Sequence, residues 1–319
     1  RMSVRTSMPR RYFRTVARSL FDRVVVVDWS AASNPTRGRD SIWVADAVPA
    51  SGRGGARVKA VNLATRLEAV EHLVDLASTT GERLLIAVDF SLGYPRGTAD
   101  AFGLTGSPWR AMWAHLSAVI DDDARNRNNR FAVASALNRR VGDGPGPFWG
   151  CPSRQATQWL GSKKAPCDPL PTWRSTESVL RRGGARPFSS WQLLGAGAVG
   201  SQSLLGIPAL VHIRTRLGER GVEVQVWPFT TGFRAPRVAA GQVVIAEAWP
   251  SMTDHRAAER VGMVRDEAQV LTLARRLSSD DTQGRLARWF VPSVPAHDLD
   301  AVVGEEGWIL GVGTSVIDS

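Results

Sequence analysis

Three apolar runs in this chain each end in an acid. Arg23-Val-Val-Val-Val-Asp28, Leu84-Leu-Ile-Ala-Val-Asp89 and Gln242-Val-Val-Ile-Ala-Glu247 all read as strands buried on both faces. Each hands a carboxylate to its last position, and Gly93, Pro95 and Pro250 then break the runs. A carboxylate at the mouth of a buried strand is costly to keep charged unless something pairs with it. Three of them in one place repel, and a bound divalent cation removes that penalty. Oxygen-only ligands with open positions favour Mg²⁺ or Mn²⁺ over zinc. Ser30 and Ser91 each lie two residues beyond an acid, where a hydroxyl can donate to a phosphate oxygen or cap a turn. Arg37 and Arg127, with Arg39, Arg125 and Arg130, are candidate phosphate contacts; a solvated charged face explains such clusters as well.

The elements that must position these acids follow from pattern. Residues 41–47 and 57–61 read as strands linked by the Gly-rich turn 51–55, so the first three strands are hairpin-linked and antiparallel. Thr65 caps a helix to about residue 78, with Leu67, Val70, Leu73, Val74 and Ala77 at 3- and 4-residue spacing. That helix is a crossover, which lets strand 84–89 lie parallel to the first strand and brings Asp89 beside Asp28. Three antiparallel strands and a right-handed crossover open a ribonuclease H-like mixed sheet in an α/β fold.

Asp28 after strand one, Val88-Asp89-Phe-Ser-Leu-Gly-Tyr-Pro95 and Ala246-Glu247-Ala-Trp-Pro-Ser251 together resemble a family of uncharacterised proteins described as predicted nucleases of ribonuclease H-like fold. The resemblance covers roughly residues 23–95 and 240–312. It implies a further acid opening a late helix, here Asp266 in Arg265-Asp266-Glu-Ala-Gln-Val270. Two ions roughly 3.5–4 Å apart would support in-line phosphodiester hydrolysis. In that scheme Asp28 bridges the metals, Asp89 and Asp266 complete the two spheres, and Glu247 ligates or positions water. Asp298 and Asp300 are rivals for the last position, and an Asp at a helix start is often only a cap.

Residues 96–240 exceed what such a core requires and read as a large helical and irregular insertion. Helices are expected over 108–118 and over 121–141, the second with acids at its start. Residues 153–190 are poorly patterned and could cover the site. Residues 222–227 alternate as a strand of the main sheet or its edge. Gly195-Ala-Gly197-Ala-Val-Gly200 fits a dinucleotide-binding pattern, but no good strand precedes it, and Gly206 and Pro208 are expected to interrupt any helix after it. It reads better as a close-packed small-residue segment near the active site, with Gln192, Ser201 and Gln202 as candidates to read a substrate. Helices are expected at 266–277 and 281–290, and Trp308, Ile309 and Leu310 should dock on the core.

Bulk properties exclude several classes. The chain has 319 residues, 43% hydrophobic and 22% charged, which is ordinary for a globular protein. No apolar run approaches the roughly 20 residues that span a bilayer, so a membrane role is not expected and a cytoplasmic one is. Cys151 and Cys167 make neither a disulfide framework nor a metal set, and the histidines stand alone, with His255 a conceivable proton shuttle. The formal net charge is +10, and arginine dominates it, Lys59, Lys163 and Lys164 being the lysines. That fits a nucleic-acid or phosphoester partner, and equally an arginine-rich proteome. Residues 1–22 carry six arginines and read as a basic, weakly ordered arm ahead of a single domain, 23–319. The expected function is a Mg²⁺/Mn²⁺-dependent nuclease or phosphodiesterase. An actin-like phosphotransferase is one alternative, although Asp28-Trp-Ser-Ala lacks the expected phosphate-loop glycine. A non-catalytic binding module is the other.

Overall fold

The computed structural model describes residues 19–50, 55–165, 170–195, 198–259 and 262–315. The basic stretch 1–18, most of the Gly-rich turn at 51–54, Cys167 and Gly197 fall outside them. The described residues begin slightly ahead of the first strand. Phe21 is buried, and the backbone N–H groups of Leu20 and Phe21 donate to the Asp281 carboxylate at 2.8 and 2.9 Å. The last residues of the expected arm are therefore tied to the domain.

The strands are β1 (Arg23–Asp28), β2 (Ile42–Val48), β3 (Arg57–Leu63), β4 (Leu84–Val88), β5 (Val224–Val226) and β6 (Val243–Glu247). They form one mixed sheet of order β3-β2-β1-β4-β6-β5. β1, β2 and β3 are antiparallel neighbours, whereas β4 is parallel to β1 and to β6, and β5 pairs parallel with β6 at the edge. The helices are α1 (Arg66–Thr79), α2 (Thr98–Ala101), α3 (Pro108–Val119), α4 (Arg130–Val141), α5 (Ser175–Arg182), α6 (Val199–Glu219), α7 (Arg256–Glu259), α8 (Arg265–Thr282) and α9 (Leu299–Ala301). Thr65 does cap α1, its hydroxyl accepting from the Glu68 N–H at 3.1 Å.

Alternation along the strands splits the core in two. Val25, Val27, Ile86, Val88, Val243 and Ile245 pack with residues of α1, α3, α4 and α6 on one face. Val24, Val26, Leu85, Ala87, Val244 and Ala246 pack with α8, Trp289, Phe290 and Trp308 on the other. Residues 96–240 thus supply the helical layer of one face and the edge strand β5, as well as loops.

Three helix expectations need correction. Residues 121–129 are not helical; α4 starts at Arg130. The Asp123 carboxylate takes the N–H groups of Arg125 and Arg127, and Asn126 adopts φ 64°, so side chains of this Asp/Asn-rich stretch satisfy the backbone as a turn would. Conversely, α6 runs unbroken through Gly206 and Pro208. Its apolar face buries Leu204, Leu205, Ile207 and Leu210, and this packing outweighs the poor local propensity. At Gly206 the Phe90 ring lies where a side chain would begin, 2.3 Å from an ideal Cβ, so the glycine is required for the helix to lie on β4's extension. Near the C-terminus α8 carries on to Thr282, and a 3-10 turn, Leu286–Phe290, replaces the expected second helix.

The C-terminal segment closes over the turn after β4. A Cβ on Gly93 would fall 2.1 Å from the Glu305 carbonyl oxygen and 2.7 Å from the Glu306 carbonyl. The Glu305 carboxylate also takes the N–H groups of Gly97 and Ala99 at 2.8 and 2.7 Å. Gly93→Ala is therefore expected to destabilise the protein by about 1–3 kcal/mol through overpacking of backbone on backbone. Chemical denaturation against wild type measures it, and an unchanged midpoint would contradict this packing.

Candidate functional site

Asp28 and Asp89 come together because β1 and β4 are parallel and in register. Val27 pairs with Val88, and the Asp89 N–H donates to the Val27 carbonyl at 3.1 Å, so the two aspartates are the next residues side by side. Both take the parity of Val26 and Ala87, which points them to the α8 face. Both keep partial access to solvent from a cleft of about 1050 Å³ at this end of the sheet. Asp266, in the first turn of α8, stands over the same face. Its Oδ2 accepts from the Asp40 N–H at 2.8 Å, and Asp40 holds φ 56°, a left-handed conformation uncommon outside glycine. Asp28, Asp89, Asp266 and Asp40 all line the cleft.

Asp28 and Asp89 are shifted by burial and by neighbouring acids, whereas Asp266 also feels the charges of Arg265 and Arg39. Burial pushes the Asp28 pKa well above the usual carboxylate range, and the charge and hydrogen bond of Asp89, then Asp266 and Asp40, push it further. Burial also raises Asp89, to about 6, against the lowering effect of hydrogen bonds from Asp28 and from the Trp29 N–H. The Trp29 bond is 2.7 Å, and the Gln202 amide reaches Asp89 Oδ2 at 3.5 Å while donating to the Trp29 carbonyl. Both acids are pushed above the usual carboxylate range, so the two titrate as a pair that resists carrying two negative charges. Asp266 is raised as well, first by burial, with the Asp40 N–H opposing.

Glu247 lies one register step behind this pair. It is level with Val88, so it takes the opposite parity and its carboxylate turns away from Asp28 and Asp89. There it meets Arg174, a fully buried residue that pattern reasoning did not single out. Arg174 Nη1 and Nη2 bind the Glu247 carboxylate at 2.7 and 2.6 Å, and the Leu92 N–H adds a third bond at 3.2 Å. Arg174 also donates to Glu177 through Nε and Nη2, and to the Glu306 carbonyl at 2.9 Å. Every N–H of its fork is used. Burial lowers the Arg174 pKa, but the two glutamates outweigh that and hold it above its ordinary value. Burial raises Glu177, despite Arg174. Glu247 is therefore one arm of a buried Glu–Arg–Glu clamp at the back of the cleft.

The remaining expected residues divide. Ser30 and Ser91 line the cleft. The Ser30 hydroxyl donates to the Asp40 carbonyl at 2.7 Å and accepts from the Ala32 N–H at 3.2 Å, so it shapes the loop that carries Asp40. Arg37 lies outside the cleft, bonding the Asn62 carbonyl and Glu68, and Arg127 is exposed and paired with Asp123 at 2.6 Å. Asp298 pairs with Arg96 at 2.5 Å and is no fourth member of the acid set. Both ring nitrogens of His255 are engaged, by Thr253 and Glu259. Gly195, Ala198, Val199, Ser201 and Gln202 line the cleft, and Gly200 packs on the Ser190 and Gln192 carbonyls, with an ideal Cβ only 2.5 Å from the former. A helix follows this small-residue segment, but a single bridge, Trp149–Gln192, stands where a dinucleotide fold needs a strand. Arg130, Arg39 and Arg265 line the cleft too.

Among the described residues, no group of three or more His, Cys, Asp or Glu side chains is arranged to hold a metal ion. The acids nonetheless offer all-oxygen chemistry, with no basic partner at Asp28 or Asp89. Asp40 and Arg174 are the members of this region that sequence reasoning missed. Asp40 hides in a turn-forming loop, and Arg174 follows a Pro-Thr-Trp stretch with no periodic signal. Comparison of the chain with protein-family models, with curated proteins and with solved structures finds no match.

Proposed function

We propose that this protein is a divalent-metal-dependent phosphodiesterase or nuclease with a ribonuclease H-like core. The observation that carries the reading is the pair Asp28–Asp89, two acids from adjacent parallel strands, side by side in a cleft and, among the described residues, without an ion-paired cation. Supporting it are the strand order, in which three antiparallel strands cross over to a parallel neighbour of β1, and the arrival of Asp266 from α8 over the same face. A divalent cation held by Asp28 and Asp89, with Asp266 beside them, would relieve their repulsion, polarise a phosphoryl oxygen and lower the pKa of a bound water.

The chain's own groups have defined parts. The Trp29 N–H and the Gln202 amide fix Asp89, and the Asp40 N–H fixes Asp266. Arg174 keeps the Glu247 carboxylate compensated, so in this reading Glu247 positions the β4–β6 ends and leaves direct ligation to the aspartates. Arginines on the cleft walls meet the polyanion.

The test is cleavage of single-stranded and duplex oligonucleotides with Mg²⁺, with Mn²⁺ and with EDTA. Expected is cleavage with at least one metal, none with EDTA, and a loss of about 100-fold or more in Asp28→Asn. Absence of cleavage throughout, or an Asp28→Asn variant as active as wild type, would sink the proposal. The upward pKa shifts of the adjacent Asp28 and Asp89 favour one second reading, an acid–base dyad sharing a proton and acting without metal. That reading requires hydrolysis that survives EDTA and falls as pH rises and the shared proton is lost.

A further inference from the structure

We propose that Arg130 forms a phosphate-binding subsite on the wall of this cleft, together with Ser33 and the uncapped first turn of α6. The inference rests on reading the cleft as a phosphoester site and adds where a phosphate is held. Arg130 is 8% exposed and opens α4. Its fork is held by neutral groups: Nε donates to the Ser201 hydroxyl at 3.0 Å, and Nη1 to Asn128 Oδ1 at 2.7 Å and to the Ser33 hydroxyl at 3.1 Å. Its Cζ lies 4.4 Å from the centre of the Phe131 ring. Among the described residues no carboxylate stands within ion-pair distance of it, and Nη2 has no hydrogen-bond partner. The other buried arginines behave differently. Arg174 lies between two glutamates, and Arg66 is paired with Asp122 at 2.5 Å.

A buried guanidinium with no counter-charge is costly, and the cost shows. Burial, then the positive charge of Arg66, pull the Arg130 pKa down to about 10, with Asp122 only partly opposing. Asp122 is ion-paired with Arg66 and reaches Arg130 only through its longer-range charge. Arg130 lines the cleft with the two N–H bonds of Nη2 unused, and the exposed Ser33 hydroxyl, whose oxygen accepts from Arg130, keeps its hydrogen to donate. Beside them, α6 begins without a side-chain cap, and Ala198, Val199 and Ser201 of its first turn line the same cleft. The Gly200 N–H of that turn is taken by the Gln192 carbonyl at 2.9 Å, and the end of the 21-residue helix brings partial positive charge to the cleft. A planar fork, a hydroxyl and a helix N-terminus suit a tetrahedral dianion better than a carboxylate.

The experiment is calorimetric titration with inorganic phosphate, with acetate at matched ionic strength as control, on wild type, Arg130→Gln, Arg130→Lys and Asp28→Asn, without metal. Expected is saturable phosphate binding in wild type, weakened about tenfold or more in Arg130→Gln, partly restored in Arg130→Lys, and kept in Asp28→Asn. Acetate should bind far more weakly. No saturable phosphate binding to wild type, or equal binding by folded Arg130→Gln, overturns the proposal. If Arg130→Gln does not fold, Ser33→Ala on the exposed loop decides it: weaker phosphate binding supports the subsite, and unchanged binding overturns it. Phosphate binding that depends on Arg130 in a protein that cleaves no oligonucleotide would leave the subsite standing and remove the nuclease reading. Metal-dependent cleavage with no phosphate effect at Arg130 would do the reverse.

Discussion

Asp89→Asn is expected to make the metal-free protein more stable at neutral pH while abolishing its activity. The sign follows from the pair. Asp28 and Asp89 both have folded-state pKa values above the unfolded value near 3.8, Asp89 at about 6. Between those limits the folded state binds more protons than the unfolded one, so stability falls as pH rises through the window. The cost is largest above pH 6, where Asp89 and then Asp28 are forced to ionise against each other. For Asp89 alone it is on the order of a few kcal/mol. An asparagine keeps the acceptor that the Trp29 N–H needs and can donate to Asp28. It removes the repulsion, so the decline in stability between pH 4 and 7 should flatten. Near pH 7.5 the melting temperature should rise by several degrees, at roughly 2–4 °C per kcal/mol. Thermal unfolding of both proteins across this range in the presence of EDTA checks it. Opposite signs for stability and activity are what a strained functional carboxylate gives. A structural aspartate would lose stability, and a lower melting temperature in Asp89→Asn would contradict the account.

The second large effect concerns Arg174. Arg174→Met should cost about 3–5 kcal/mol at pH 7, because it leaves Glu177 and Glu247 buried without their cation. It also strips partners from the Glu306 carbonyl, where the C-terminal segment docks. With the guanidinium gone, two buried carboxylates are left without compensation whenever they are charged. Their penalty is then absent at low pH and grows as pH rises. The variant should therefore lose less stability at pH 4 than at pH 7. The triple change Arg174→Met, Glu177→Gln, Glu247→Gln should recover much of the loss. Urea midpoints at the two pH values read this directly. A pH-independent deficit would mean that Arg174 acts by packing rather than charge.

Much of this site was legible in the sequence, for a physical reason. A strand buried on both faces has to be apolar, so an acid at its end stands out, and a helical crossover forces the next strand parallel. That logic placed Asp28 beside Asp89. Glu247 shows its limit. Its run has the same appearance, but the face on which its side chain emerges depends on register against β4, and one residue of slip reverses it. Asp40 reaches the cleft, and Arg174 the Glu247 carboxylate behind it, from stretches where no periodicity marks them. Residues 121–129 misled because acids before a basic run resemble a helix start, whereas Asp123 and Asn126 satisfy the backbone as a turn. In α6 the expected break at Gly206 and Pro208 was overridden by packing, and the Phe90 ring uses the space that Gly206 leaves.

The central claim is that Asp28 and Asp89 hold a divalent cation. Calorimetric titration of Mn²⁺ into wild type and Asp89→Asn at low ionic strength, each with and without a short oligonucleotide, tests it most directly. The account predicts saturable binding in wild type that disappears in the variant. Binding of equal strength in both proteins, or none in wild type even with the oligonucleotide present, would contradict it.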